Sequence, residues 1–223
     1  MIPVIYCYDA YCGWCYGFSP VIKRLAEEYK DRAFFEVLSG GMILSDPPAP
    51  ISVSAGYIRD SYKVVEERTG IKFGEDYLWH INNPDKSDWF PDSEKPAIAL
   101  CIFKEYYPRQ QVIFAAGLQY ALHHEGRDLC DDEAYRHLLD KYNIPAEEFY
   151  SKLKQEVYKE KAYHEFALCR QLQVTGYPTA FIQVNESKLY LLARGYTDYE
   201  LLQQRMEAIL GEMAMTSRDK EEK

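Results

Sequence analysis

Residues 2–15 read IPVIYCYDAYCGWC, a run of β-branched and aromatic residues that stops at Asp9 and passes into a Cys-x-x-Cys at Cys12 and Cys15. Ile2 to Tyr8 has the length and residue types of a buried strand. From Cys12 the polarity period changes: Phe18, Val21, Ile22, Leu25 and Tyr29 recur at steps of three and four, which predicts an amphipathic helix to about Lys30. Both thiols therefore sit at a helix start, close enough for a disulfide spanning one turn. Pro20 lies inside this helix without an N–H to donate, and predicts a bend or a break.

The pair has a definite division of labour. Unpaired backbone N–H groups and the positive dipole end of a helix favour thiolate over thiol at its start, so Cys12 is expected to be the exposed nucleophile. Cys15, one turn deeper, is expected to attack the resulting mixed disulfide and release the product. Gly13 and Trp14 leave the local N–H groups free, and the Trp14 ring offers an apolar surface, so both are candidate substrate contacts. A Cys-x-x-Cys is also half of a zinc knuckle, but zinc takes four ligands and no second Cys or Cys/His pair has matching spacing. No metal and no cofactor is expected.

Outward from this motif, Phe34 to Leu38 reads as a second strand, followed by the Ser39-Gly40-Gly41 turn and a loop ending in Pro47, Pro48 and Pro50. Residues 50–172 then show helical patterns and almost no strand-like alternation. Candidate helices are Ser54 to Arg68, Lys95 to Tyr106, Gln110 to His124, Asp132 to Tyr142, Ala146 to Tyr158 and Lys161 to Gln171. The segment Trp79 to Pro96 is expected to be a long loop, either a lid or substrate-facing surface or, equally, a plain surface connection. Strand character returns in Thr179 to Val184 and Leu189 to Ala193, a hairpin around Asn185-Glu186-Ser187. Thr197 and Glu200 form a capping-box pattern before a last helix to about Met213, and a disordered tail is expected beyond Met215.

A second signal lies at Thr175-Gly176-Tyr177-Pro178-Thr179, directly before a strand. An aromatic residue before proline in such a turn predicts a cis Tyr177–Pro178 bond. A strand ending in Cys-x-x-Cys at a helix start, with a distant Gly-x-Pro-Thr leading into a hairpin, matches the thioredoxin fold. With helices inserted between its halves, the whole chain resembles the DsbA family of disulfide oxidoreductases, and Asp9 looks like the FrnE-like branch. The resemblance implies an α/β class: a thioredoxin-like fold with an inserted all-helical domain. Its parts would be residues 1–49 and 173–215 for the thioredoxin-like domain, 50–172 for the insertion and 216–223 for the tail. It also implies catalysis by Cys12 and Cys15, with Tyr177 and Pro178 facing the pair and holding the substrate backbone. Related proteins often carry an acid on the first strand near the resolving cysteine. This sequence has Tyr6 and Tyr8 there, which leaves Glu36 or a water as the substitute.

The other candidates have plainer readings. Cys7, Cys101 and Cys169 read as small core residues. Cys130 lies among Asp128, Asp131 and Asp132, which disfavour its thiolate even if the side chain is exposed. His123 and His124 end a helix, where capping as imidazolium is expected; His80, His137 and His164 show no partner spacing. A formal charge of -9 repels phosphate backbones and anionic head groups, which argues against nucleic-acid and membrane partners. With no long apolar stretch or basic leader, the chain reads as cytoplasmic. Expected partners are protein or small-thiol disulfides, with glutathione or a redox protein as electron source, and a glutathione pool poised at roughly -220 to -320 mV would favour reduction or isomerisation. Two alternatives stand beside this: a glutathione-dependent isomerase or transferase of the kappa-like type, and a non-catalytic binding module.

Overall fold

The computed structural model describes residues 1–185 and 187–221. Four strands, β1 (Ile2–Tyr8), β2 (Ala33–Ser39), β3 (Thr179–Asn185) and β4 (Lys188–Arg194), form one sheet in the order β2-β1-β3-β4. β1 runs parallel to β2, with Tyr6 opposite Val37, and antiparallel to β3, with Tyr6 opposite Ala180. β3 and β4 pair as the expected hairpin, although Glu186 at its tip lies outside the described residues. Pro3 is tolerated in the central strand because β3 pairs only with Val4 to Cys7, so no N–H is demanded at position 3 on that side.

Alternation along β1 divides its side chains between two faces. Val4, Tyr6 and Tyr8 join the main core, whereas Cys7 packs with Leu38 and Cys169 on the other side. A central strand buried on both faces needs cover on both. One cover is α1 (Gly13–Glu28), which inserts the fully buried Phe18, Ile22 and Leu25, each contributing about 1.5–3 kcal/mol by burial. Pro20 does not break this helix, which continues through it to Glu28 with the ring on the exposed side. Alongside lies α9 (Tyr199–Glu221), held to α1 by the Tyr199 hydroxyl on Glu28 and the Arg24 guanidinium 3.5 Å over the Tyr199 ring. α9 continues as helix through Glu221, where the sequence suggests a tail, and residues 222–223 lie outside the described residues. The Thr197 hydroxyl donates to the Gly195 carbonyl at 3.3 Å, two residues before α9 begins, so the expected capping box does not form around it.

The insertion between β2 and β3 consists of α2 (Ser52–Thr69), α3 (Glu75–Asn82), α4 (Glu94–Tyr106), α5 (Gln111–His123), α6 (Arg136–Tyr142), α7 (Ala146–Leu153) and α8 (Glu156–Gln171). α5 packs along α1, and the end of α8 supplies Leu168 and Cys169 to the second sheet face. Phe103 of α4 and Phe114 of α5 stack at 3.9 Å inside an apolar cluster that runs from the insertion to the sheet without interruption.

Two segments differ from the sequence expectation. α3 and a 3₁₀ turn at Pro84–Lys86 occupy part of the span read as loop from Trp79. Glu75 and Asp76 suit the start of α3, but eight residues followed by Asn-Asn-Pro give a weak periodic signal. The helix expected from Ala146 to Tyr158 ends at Leu153, and α8 starts afresh at Glu156, with neither proline nor glycine at the break. Asn143, with φ of 52°, closes α6 in the left-handed conformation that asparagine tolerates.

Gly74, just before α3, crosses the end of α5 so closely that its N–H donates to the His123 carbonyl at 2.9 Å. A Cβ there would lie 1.7 Å from the His124 carbonyl oxygen, a backbone atom that cannot swing aside. Gly74→Ala is expected to destabilise the protein by about 3 kcal/mol, read as a lower urea midpoint at unchanged slope.

Candidate active site

β1 hands the chain to α1 through Asp9, Ala10 and Tyr11, and this turn positions both sulfurs. Cys12 is the N-cap of α1 in extended backbone conformation, and its Sγ accepts the Cys15 N–H at 3.3 Å. The Cys12 N–H donates to the Asp9 carbonyl at 3.2 Å, and the Cys12 carbonyl accepts the Tyr16 N–H at 3.0 Å. From the far end of the chain, the Tyr177 carbonyl accepts the Cys12 thiol at 3.5 Å, and the Tyr177–Pro178 bond is cis. A second cis bond, Asp46–Pro47, had no signal in the sequence reading.

Contrary to expectation, Cys12 is not an exposed thiol: it is 5% accessible, and Cys15 is fully buried. The cause is the insertion, which walls the start of α1 and leaves a cavity of about 330 Å³ over Cys12. Gly13, Trp14 and Tyr177 line this cavity with Cys12, and Trp89 and Pro91 line it from the segment read as a substrate-facing loop. Cys15 and Pro178 lie outside the lining, Pro178 buried with its carbonyl accepting the Gly195 N–H at 2.8 Å. The Tyr177 hydroxyl donates to the Gly40 carbonyl at 3.0 Å, and the ring fills the space a Cβ at position 40 would need.

The acid beside the pair is Asp9. Its buried carboxyl accepts the Tyr11 N–H at 3.0 Å, the Met42 N–H at 2.7 Å and the Ser93 hydroxyl at 3.0 Å. Burial raises its pKa, and these donors oppose the rise. Burial also pushes the Cys15 thiol well up, reinforced by Cys12 and by the negative charge of Asp9, while the Asp9 N–H pulls the other way. Tyr6, likewise raised by burial and next to Cys15, stays a neutral phenol. Glu36, expected to substitute for a missing acid, is occupied elsewhere: it accepts Lys104 Nζ at 3.1 Å and Gln111 Nε2 at 3.2 Å, on a second cavity with Cys101 and Glu165. The signal for this acid in the sequence is Asp9 itself, directly after β1 and three residues before Cys12.

Cys101, Cys130 and Cys169 are held as thiols, and Cys7 is buried beside Cys169. Cys169 is pushed up by its hydrogen bond with Cys7 and by burial, and Cys101 by burial beside Glu165, to which it donates at 3.3 Å. Cys130, half-buried, donates to the Phe90 carbonyl at 3.3 Å, and burial more than its acidic neighbours raises it. His80 and His137 do have partners, Ser87 at 2.8 Å and Glu125 at 3.3 Å, and among the described residues no three His, Cys, Asp or Glu side chains group as metal ligands would.

His123 overturns the capping expectation. Its ring is fully buried among Tyr16, Phe73 and Tyr77, the last two also lining the cavity, and burial pushes its pKa down to about 3. The helix dipole is too weak to hold imidazolium where water is excluded.

With this geometry in view, the chain matches the DSBA-like thioredoxin domain over residues 4–207 and belongs to that family. Among curated proteins none matches it. Its fold is similar to that of a candidate protein disulfide isomerase from Nitrosomonas europaea, at TM-score 0.80 and 21% identity over 95% of this chain and 98% of that one. It is also similar to the cytosolic disulfide reductase DsbM from Pseudomonas aeruginosa, at TM-score 0.76 and 23% identity over 93% and 98%. A 2-hydroxychromene-2-carboxylate isomerase shares the fold more distantly, at TM-score 0.63 and 12% identity over 97% and 98%.

The buried imidazole sets a pH dependence. Below about 6.5 an unfolded histidine binds a proton that the folded ring refuses until about 3, so His123 lowers stability as pH falls through that window. His123→Phe is therefore expected to lose about 2–3 kcal/mol less stability than the parent between pH 7 and pH 4.5, measured by urea unfolding at both values.

Proposed function

We propose that this protein exchanges thiols and disulfides through Cys12 and Cys15, with Tyr177 forming the opposing rim of the site and Pro178 holding the turn behind it. The observation that carries this reading is the convergence of the Cys15 N–H and the Tyr177 carbonyl on Cys12 Sγ, where Cys12 lines a cavity. In the reduced protein, Cys12 sulfur attacks one sulfur of the substrate disulfide, forming a mixed disulfide and releasing one thiolate. The Cys15 sulfur then attacks Cys12 sulfur, closing the pair and releasing the second thiolate. Cys15 must first lose a proton that burial makes hard to remove, and Asp9, the buried acid beside it, is the candidate acceptor. Trp14 and Gly13 border the space in which the substrate sulfur would sit.

The direction we favour is reduction or isomerisation in a reducing compartment. Support comes from the similarity to a cytosolic disulfide reductase, and reduced glutathione is a candidate electron source because that reductase has also been solved with GSH. Among the described residues no helix is long and apolar enough to cross a membrane. The kappa-like alternative is disfavoured by the intact pair, since Cys15 would have no role there. The cavity over Cys12 speaks against a purely structural bridge.

An insulin-reduction assay tests the proposal. Cys12→Ser is expected to lower the rate at least about a hundredfold, as loss of a covalent nucleophile does. Cys15→Ser is expected to accumulate mixed disulfides visible on non-reducing gels. Full activity in Cys12→Ser would sink the reading.

A further inference from the structure

The wall of the cavity over Cys12 is uncharged: among the described residues no Asp, Glu, Lys, Arg or His side chain lines it. α2 contributes one stripe, Ser54, Ile58, Ser61, Tyr62 and Val65, at the spacing of a single helix face. Phe73, Tyr77 and Trp89 close the other side. Four of the polar side chains present are committed elsewhere. Ser54 and Ser61 donate to their own helix turn, at the Ile51 and Ile58 carbonyls, 3.3 and 3.4 Å away. The Tyr177 hydroxyl donates to Gly40, and the Tyr11 hydroxyl lies 3.5 Å from Cys130 Sγ. Arg59, the nearby cation of α2, spends its guanidinium on the Ile81 carbonyl at 2.9 Å.

Glutathione carries carboxylates and an ammonium, and burying such groups without counter-charges is costly. The net charge of -9 adds long-range repulsion of an anionic disulfide. An apolar or aromatic group, by contrast, gains by leaving water for this wall, and the cavity has the size of a small-molecule site.

We infer that the cavity selects disulfides whose substituents next to the sulfur are apolar or aromatic, and discriminates against glutathione disulfide as the oxidised substrate. This rests on the exchange reading above and names its substrate class. The reaction is balanced by the protein's own dithiol: two thiols of the pair become one disulfide, and R–S–S–R becomes two R–SH, taking up the two electrons and two protons. Regeneration of the pair by reduced glutathione runs through the same mixed disulfide at Cys12 in reverse, so the wall slows glutathione in both directions without forbidding either.

The test uses the reduced full-length protein and the symmetric disulfides of N-acetyl-Cys-Phe-amide and N-acetyl-Cys-Ser-amide, both uncharged, alongside glutathione disulfide. Oxidation of the pair is followed by rapid acid quench, alkylation and mass spectrometry, and each rate is divided by that of dithiothreitol with the same disulfide. The phenylalanine disulfide is expected to react roughly tenfold or more faster than both others on this scale. Ile58→Arg, which places a cation on the wall, is expected to shrink the ratio over glutathione disulfide by about tenfold. If that variant does not fold, the parent ratios decide alone. Equal rates for the phenylalanine and serine disulfides, or a faster glutathione disulfide, would overturn the selectivity while leaving exchange intact. Failure of all three to oxidise the pair would instead overturn exchange itself.

Discussion

A carboxyl group taken out of water must find donors, and in this chain the donors that Asp9 finds hold the site together. The Tyr11 N–H comes from the turn before Cys12, the Met42 N–H from the loop after β2, and the Ser93 hydroxyl from the residue before α4. Ser93 Oγ in turn accepts the Ile43 N–H at 3.0 Å, and the Asp9 carbonyl accepts Gln119 Nε2 at 3.3 Å from α5. One side chain therefore fastens the end of the central strand to the start of the insertion and to its middle. The charge of the same carboxyl adds to the burial that pushes the Cys15 thiol up, so the tie that fixes the geometry also reaches the pair electrostatically.

A comparable device stands at β2. Lys104 of α4 is nearly enclosed, with Glu165 of α8 and Glu36 of β2 as counter-charges and the Val37 carbonyl as a further acceptor. Glu165 also accepts the Ser39 N–H at 2.9 Å at the end of β2. Removing one partner from such a cluster leaves an uncompensated charge in a dry place, which is why buried pairs specify an arrangement more than they add net stability. Together the two polar anchors tie the helices of the insertion to the ends of β1 and β2.

Much of this was legible in the sequence, and the reasons are local. The β1 pattern, the change of period at Cys12, the Gly-Tyr-Pro-Thr before β3 and the hairpin each carry their own signal over a few residues. The insertion was legible as helical, but the break between α7 and α8 and the existence of α3 were not, because eight-residue helices such as α3 and α7 are decided by tertiary burial rather than by propensity. Within the site, Gly13, Trp14 and Tyr177 could be placed near Cys12 from pattern and resemblance. The enclosure of Cys12 could not, since Trp89, Pro91 and the stripe on α2 come from distant positions. His123 shows the same limit: its helix-end position suggested a charged cap, and only the packed rings around it reveal a neutral core side chain.

The contact between Gly40 and Tyr177 joins two parts of the chain 137 residues apart. Because the aromatic ring stands where any larger residue at 40 would put its first carbon, the loop after β2 and the prolyl loop cannot vary independently. A sibling protein that carries alanine or serine at the first position should also carry a smaller side chain in place of the tyrosine, and with it a differently shaped entrance to the sulfur. Substrate preference in such siblings would then be heritable through a residue that never touches the substrate.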